Sequence, residues 1–227
     1  MFFKNQVWLD GLFMVQPFYA QWTQRFDPDN QTAWDDIVHH FDLIETHARH
    51  RPSNLFVHGW VDGDAVWADP ETGQSPNVWG RAVGWYFMAL LEVLSFFPHW
   101  HAGYFRLESY YTQLADALAN ARDPETGSWW QVMEDPYAGA EGNFVESSAS
   151  AMFSWGILVG VRLGILGREY VEDSVDAYES LVRNFVVAEE EDGGRLTYNT
   201  TSAESGLNNV VNYEVSWALP FIDRSGC

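Results

Sequence analysis

The sequence predicts an all-α fold in which consecutive helical hairpins curve into an α/α toroid. Six segments carry apolar residues at three-to-four spacing, which is typical of amphipathic helices. The links are short inside each successive pair of segments and long between pairs, so the six helices group into three hairpins. The pentapeptide Asp-Pro-Glu-Thr-Gly occurs at residues 69–73 and again at 123–127, and this 54-residue offset indicates a repeated unit.

The individual helices follow from their apolar stripes and from the residues that end them. In the first helix Leu12, Val15 and Trp22 are among the apolar residues at helical spacing. Proline and glycine mark the ends of later helices, at Pro98, at Gly164 and Gly167, and at the Asp192-Gly193-Gly194 turn. The predicted helices cover residues 10–26, 33–49, 79–97, 105–121, 146–166 and 168–188.

Three long connections, over residues 50–78, 122–144 and 189 onward, are rich in Trp, Gly and Pro. Long loops in compact domains tend to carry function, so we expect a ligand cleft at the end of the toroid where they gather. Six hairpins close an α/α barrel, and this chain supplies three. We therefore expect one domain over residues 1–227 that lacks N-terminal and C-terminal helices, or else one that closes by association.

Composition excludes several classes of partner. The formal charge is −20 in 227 residues, which repels nucleic acids and anionic membranes. The lone Cys227 excludes an internal disulfide, and no phosphate-binding glycine loop or cofactor motif is present. No apolar run is long enough for a transmembrane segment and no signal peptide is visible, so we expect a soluble protein of unknown location. The 12 Trp residues favour a ring-bearing ligand such as a carbohydrate.

Residues 79–86, Trp-Gly-Arg-Ala-Val-Gly-Trp-Tyr, form the most informative stretch. Arg81 offers a planar fork that suits a carboxylate, while Trp79 and Trp85 could cover the apolar faces of a sugar ring. The alternative is a packed helix start, in which both indoles belong to the core and Arg81 is solvated.

Two further segments supply carboxylates. Asp10 stands at a helix start, where Trp8 and Phe13 would shield it from water and suit it to acid catalysis; the alternative is a simple N-cap. His58, Trp60 and Asp62 follow one another in the first long loop. There the alternative is an Asp62-Gly63 turn that closes a small hairpin toward residues 65–67.

The remaining polar clusters have ordinary structural explanations. Glu146 and Ser147 open the fifth helix and are expected to cap it, although small residues there would also let a ligand approach closely. The acids and imidazoles of residues 35–42 do not share one helix face, so no metal site is expected.

Taken in chain order, these motifs resemble those of the unsaturated rhamnogalacturonyl hydrolases of glycoside hydrolase family 105, which are related to the unsaturated glucuronyl hydrolases of family 88. The resemblance spans nearly the whole chain. It is carried by residues 8–14, 58–60, 67–76, 79–86, 129–132 and 146–152.

The resemblance implies an (α/α)6 barrel without a metal or cofactor. It also implies removal of a 4,5-unsaturated galacturonyl residue from the non-reducing end of rhamnogalacturonan oligosaccharides. In the implied mechanism an aspartic acid protonates the double bond, water adds at C5, and the resulting hemiketal opens. It assigns catalysis to Asp62 and Asp10. The resemblance assigns substrate binding to His58, Trp60, Trp79, Arg81, Trp85, Trp129, Trp130 and Gln131.

One departure from the family pattern bears on activity. The family's catalytic Asp usually stands three residues after the His of the His-Gly-Trp motif, where this chain has Val61, followed by Asp62 and later Asp64. Two other interpretations therefore stay open. One is a catalytically silent sugar-binding relic of the family, and the other is an inverting glycosidase that uses Asp10 and Asp62 on saturated sugars. The sequence leaves the aglycone and the oligomeric state undetermined.

Overall fold

The computed structural model describes residues 5–189, 194–203, 206–207 and 212–213. Within them the chain forms three consecutive helical hairpins, and the all-α prediction is confirmed. The helices are α1 (Leu9–Phe26), α2 (Gln31–His47), α3 (Gly80–Phe96), α4 (Gly103–Asn120), α5 (Ser147–Leu163) and α6 (Val171–Phe185).

The helices form two layers. In the inner layer α1 packs against α3 and α3 packs against α5. Each inner helix also contacts its hairpin partner in the outer layer, α2, α4 or α6, and α2 contacts α4. The core lies between the layers and combines aliphatic side chains with large aromatic ones, with Trp34, Phe41, Tyr86, Tyr111 and Trp129 among its fully buried side chains.

The inner helices approach closely where a side chain of one meets a glycine of the other. A Cβ atom at Gly84 of α3 would lie 2.6 Å from Met152 Sδ on α5, and a Cβ atom at Gly156 of α5 would lie 2.6 Å from Phe87 Cε1 on α3. Such distances are far below ordinary contact, so these glycines set the spacing and the register of the two helices.

Short antiparallel strands tie the loops together. They are β1 (Gln6–Trp8), β2 (Arg49–His50), β3 (Leu55–Phe56), β4 (Gly59–Val61), β5 (Val186–Glu189) and β6 (Arg195–Tyr198). β1 pairs with β4, β2 with β3, and β5 with β6. An isolated bridge joins Trp60 to Gln74 beside β4.

The strands rule out one alternative and correct one predicted boundary. The alternative hairpin from Asp62-Gly63 toward residues 65–67 does not form, because β4 is already hydrogen-bonded to β1 on one side and to residues 73–75 on the other. The sixth helix ends at Phe185 rather than at residue 188, because the next residues enter β5.

The repeated pentapeptide folds into the same turn at both of its occurrences. The carboxylates of Asp69 and Asp123 accept the backbone N–H groups of Thr72 and Thr126, each at 2.8 Å. The final glycines, at 73 and 127, adopt φ values of 72° and 68°, which side-chain-bearing residues rarely adopt. The hydrogen bonds from Thr72 lower the pKa of Asp69, and the bond from its backbone N–H has the largest effect. The repeat is therefore a structural device that returns each long loop toward the inner helices.

No described helix is both long enough and apolar enough to cross a bilayer. Asp192 and Gly193, at the predicted turn after the sixth helix, and Cys227 lie outside the described residues.

Candidate active site

The candidate site is built around an aspartate and a histidine at the N-terminal end of α1. Asp10 lies in the first turn of α1, and His58 precedes β4, which pairs with β1 just before α1 begins. Their contact joins Asp10 Oδ2 to His58 Nε2 at 2.7 Å. The His58 side chain is buried, whereas the Asp10 side chain is 29% exposed. The pair therefore presents a fixed carboxylate to the solvent side.

Two indoles enclose the imidazole. The Trp79 ring centroid lies 5.1 Å from that of His58, and the Trp8 ring meets His58 edge-on at 5.8 Å. The Nε1–H of Trp79 is buried and donates to no residue that the structure describes. A buried donor without a partner is costly, so an oxygen atom of a bound ligand would stabilise it.

Arg81 adds a cation on the same side. Its guanidinium carbon lies 4.9 Å from the centroid of the Trp79 ring, within cation–π range. Nη1 donates to the Ser202 carbonyl at 2.7 Å and to Ser148 Oγ at 3.4 Å. Nε and Nη2 make no hydrogen bond to the described residues, so the edge of the guanidinium that suits a carboxylate is available to a ligand.

Glu146 contacts the residues around Arg81 from the interior of the protein. It is fully buried, and its side chain caps α5 by accepting the Ala149 N–H at 2.6 Å, as the capping interpretation of the sequence expects. It also accepts from Ser148 Oγ and from the Ser202 N–H, and it lies 4.0 Å from Arg81 Nη1. Glu146 thus links the starts of α3 and α5 to the segment around Ser202.

Asp62 lies in a different environment. Its backbone N–H donates to the Asn5 carbonyl at 2.9 Å, while its side chain is exposed and makes no hydrogen bond or ion pair to the described residues. The preceding residue, Val61, is buried in a small apolar cluster with Trp67 and Leu207. Successive side chains of an extended strand point to opposite faces, so Val61 lies on the buried face and Asp62 lies on the exposed face.

The other predicted sugar-binding residues are dispersed. Trp60 stacks on His47 at 4.0 Å, and Trp85 packs against Phe13 at 4.8 Å. Trp129 belongs to the core rather than to a ligand site, because its ring is fully buried and its Nε1–H donates to the Leu118 carbonyl. Gln131 is buried, and its backbone carbonyl accepts a hydrogen bond from the Gly80 N–H at the start of α3.

Trp130 lines a cavity of about 490 Å³ near the end of α4. Arg122 and Glu134 also line this cavity. Burial raises the pKa of Glu134, although its carboxylate accepts from Asn77 Nδ2 and from the Val78 N–H.

The segment around Ser202 contributes to the site without any signal in the sequence. This residue contacts both Arg81 and Glu146, and Leu207 completes the apolar cluster around Val61. Ser202 is 121 positions away from Arg81, and no local pattern connects them. In the described part of the chain no three His, Cys, Asp or Glu side chains are grouped as a metal site would require.

Comparison with known protein families identifies the family of this chain. The model of Glycosyl Hydrolase Family 88 matches residues 1–217. The chain belongs to this family. The family 88 chain is also similar to the solved structure of a family 105 glycoside hydrolase from C. acetobutylicum, with 30% identity and a TM-score of 0.88 over 96% of this chain and 60% of that one. The resemblance drawn from the motifs is confirmed.

Two sequence relatives extend the comparison. "Protein Atu3128" of Agrobacterium fabrum is 39% identical over 124 residues, which cover 54% of this family 88 chain and 52% of that protein. "Unsaturated rhamnogalacturonyl hydrolase YesR" of Bacillus subtilis is 26% identical over 212 residues, 93% of this chain and 54% of that protein. The family 88 chain therefore spans about half the length of these relatives.

Proposed function

We propose that this family 88 glycoside hydrolase acts on oligosaccharides whose non-reducing end is a 4,5-unsaturated galacturonyl residue. The observation that carries the proposal is the Asp10–His58 pair, which lies beside the Trp79 ring and the Arg81 guanidinium. An anionic, flattened sugar ring needs a cation for its carboxylate, an aromatic wall for its face and a carboxyl group for its chemistry. This site offers all three.

Each group has a defined task in the proposed reaction. The free edge of Arg81 binds the uronate carboxylate, and the Trp79 Nε1–H donates to a ring substituent. Asp62 gives its proton to C4 of the double bond, and water adds at C5. Asp10, oriented by His58, stabilises the positive charge that develops on the ring as the proton arrives. The proton lost by the water returns to the carboxylate of Asp62. The hemiketal then opens to a ketone at C5 and a hemiacetal at C1, and this hemiacetal collapses to an aldehyde and releases the neighbouring sugar with a free hydroxyl group.

The choice of rhamnogalacturonan as the substrate is supported by the relative named as an unsaturated rhamnogalacturonyl hydrolase, at 26% identity. A second relative, from Alteromonas, is named "Unsaturated 3S-rhamnoglycuronyl hydrolase" and is 27% identical over 197 residues. Both names describe an unsaturated uronyl sugar that is joined to rhamnose. We therefore assign rhamnose to the position next to the uronate.

A second function, sugar binding without turnover, is favoured by the environment of Val61. The family pattern expects the catalytic Asp at this position, and the valine there is buried against Trp67 and Leu207. The nearest carboxylate, that of Asp62, is exposed. On this interpretation the site keeps its carboxylate-binding groups and lacks its acid.

The deciding experiment follows the ultraviolet absorbance of the unsaturated uronate during incubation with lyase-digested rhamnogalacturonan. Hydrolysis removes the double bond, so the absorbance falls and a shortened oligosaccharide appears by mass spectrometry. A substrate-dependent rise in Tm without any loss of absorbance would support binding alone. No Tm shift and no absorbance loss would reject both functions.

Val61→Asp separates the two functions further. If Asp62 is the acid, this variant gains no activity and loses stability, because an unpaired carboxyl replaces a buried valine at a cost of about 1–3 kcal/mol. If the chain is a silent relic, V61D is the variant in which turnover would appear. Val61→Asn is the matched control, since it adds a polar group of the same shape without an acid.

A further inference from the structure

A polar cleft lies between the C-terminal half of α4 and the loops that carry Asn54 and Trp130. Its larger part is the cavity of about 490 Å³ that Trp130 lines. A neighbouring cavity of about 200 Å³ continues it toward Arg49 and Gln113. Asn54 and Asn120 line both cavities, which therefore form one space. We call this space the α4 cleft, and its volume is typical of sites for small molecules.

The larger part of the α4 cleft offers an aromatic ring that is available to a ligand. Trp130 is half-buried, and its ring stacks on no aromatic ring that the structure describes. Its Nε1–H likewise donates to none of the described residues. The face of an indole packs on the C–H groups of a pyranose ring, and its N–H group can donate to a hydroxyl. Trp130 therefore suits a sugar ring.

The backbone around Trp130 is fixed before any ligand binds. On one side the backbone carbonyl of Gln131 accepts the Gly80 N–H at 2.9 Å, at the start of α3. On the other side an isolated β-bridge joins Trp130 to Val145. Because the ring is carried by a segment that is paired on both sides, a ligand has little chain to order when it binds.

The polar groups of the cleft favour an uncharged ligand. The side chains of Asn54, Asn120 and Asp135 are exposed in it and make no hydrogen bond or ion pair to the described residues. An amide both donates and accepts, as a sugar hydroxyl does, so the two asparagines match a hydroxyl-rich ligand.

The charges of the cleft disfavour an anion. Its two arginines are each paired with a carboxylate: Arg122 Nη1 lies 2.7 Å from Asp173 Oδ1, and Arg49 pairs with Glu45. Four carboxylates line the cleft, those of Asp116, Asp123, Glu134 and Asp135. A uronate would therefore meet like charges here, whereas a neutral sugar would not.

We propose that the α4 cleft is a second carbohydrate site, which binds neutral pyranose residues as a mono- or disaccharide. The Trp130 ring stacks on one face of the sugar, and the amides of Asn54 and Asn120 bond to its hydroxyl groups. The residues of the candidate active site, the Asp10–His58 pair with Trp79 and Arg81, do not line this cleft. The inference is independent of the proposed reaction, because a neutral sugar carries neither the double bond nor the carboxylate.

The test uses saturation-transfer NMR on the full chain, which detects weak binding of small sugars. The probes are neutral disaccharides of rhamnose, galactose, glucose and mannose, each titrated to obtain a dissociation constant. α-1,4-Galactobiose is compared with α-1,4-digalacturonate, which differs from it only in its two carboxylates. We expect at least one neutral disaccharide to bind, and we expect Trp130→Ala to raise its dissociation constant about tenfold or more. Any binding of digalacturonate should be unaffected by W130A.

Two amide variants test the cleft without touching the Trp130 segment. Asn120→Ala removes an exposed amide from the last residue of α4. Asn54→Gly removes the other amide and keeps the backbone, because Asn54 has a φ of 57° that glycine adopts freely. Each variant loses hydrogen bonds to the sugar, so the dissociation constant should rise about threefold or more.

Trp100→Ala is the matched control for W130A. Trp100 is 62% exposed, lies in the turn between α3 and α4, and does not line the α4 cleft. The same truncation there should leave the dissociation constant of the neutral disaccharide unchanged. Circular dichroism and the Tm of each variant show that a loss of binding is not caused by unfolding.

Three outcomes overturn the proposal. In the first, none of the neutral disaccharides binds the native chain. In the second, both amide variants keep the native affinity, which would place the bound sugar outside the cleft whatever W130A does. In the third, W130A weakens digalacturonate as much as galactobiose, so that the cleft does not select for a neutral sugar. Each of these results leaves the reaction proposed for the Asp10–His58 pair intact, because that reaction is followed by the loss of the double bond.

Discussion

Asp10 and Asp62, the two carboxylates assigned to catalysis, lie in opposite environments. Asp10 is held by a buried imidazole at 2.7 Å, in a helix whose other face is embedded in the core. Asp62 follows a short strand, is exposed, and makes only a backbone hydrogen bond to a described residue. The comparison shows that a helix start places a side chain reliably, whereas after a strand a shift of one residue moves a side chain to the other face.

The largest effect on rate is expected from Asp62→Asn. An amide has the shape of the carboxyl but gives up no proton, so turnover of the unsaturated substrate should fall roughly 10³-fold, within the range of general acid catalysis. The exposed side chain makes little contact, so the Tm should stay within about 1 °C of the native value. Asp64→Asn is the control and should keep its rate. A dead D64N beside an active D62N would reverse the assignment inside this loop.

Asp10→Asn should affect both rate and stability, because the side chain of Asp10 is hydrogen-bonded to a buried residue, whereas that of Asp62 is exposed. We expect kcat to fall about 10²-fold. We also expect a loss of about 1.5–3 kcal/mol in the free energy of unfolding, since the hydrogen bond to buried His58 loses its charge. Urea denaturation and steady-state kinetics measure the two effects separately. If D10N keeps its full stability, the 2.7 Å contact contributes little to the fold.

Arg81→Lys should act on binding more than on rate. A lysine keeps the positive charge but offers no planar fork, so KM for the anionic substrate should rise about tenfold, equivalent to about 1.4 kcal/mol. The bond to the Ser202 carbonyl is also lost, and the Tm reports that part. A variant with native KM and a lower Tm would make Arg81 a purely structural residue.

The smallest effect concerns Glu134, a buried carboxyl outside the Asp10–His58 pair. Burial raises its pKa, so the folded state binds the proton more tightly than the unfolded state does. The stabilising contribution is therefore complete below the unfolded pKa and is lost as pH rises through the folded pKa. Glu134→Gln should flatten this decline in urea titrations from about pH 4 upward, near the ordinary pKa of a glutamate. An unchanged slope would show that Glu134 titrates alike in both states.

Local patterns were enough to predict the six helices and their pairing, because each helix repeats its apolar residues every turn and ends at a proline, a glycine or a long loop. The Asp10, His58, Trp79 and Arg81 side chains do lie near one another, since each stands beside the N-terminal end of an inner helix.

Long-range pairing explains what the sequence did not reveal. The sixth helix was drawn three residues too long, because the pairing of β5 with β6 is not visible in its periodicity. Trp129 was assigned to sugar binding, although its ring fills the core beside Phe153. A tryptophan in a long loop has the same local signature whether it faces a ligand or the interior.

The bond between Arg81 and the Ser202 carbonyl spans 121 positions of the chain, and this distance has a consequence for synthesis. A ribosome adds about 5–20 residues per second, so Arg81 waits roughly 6–24 s before Ser202 exists. During that interval the first two hairpins can fold while the cation beside Trp79 still lacks one of its anchors. The proposed ligand site is thus among the last parts of the nascent protein to take shape.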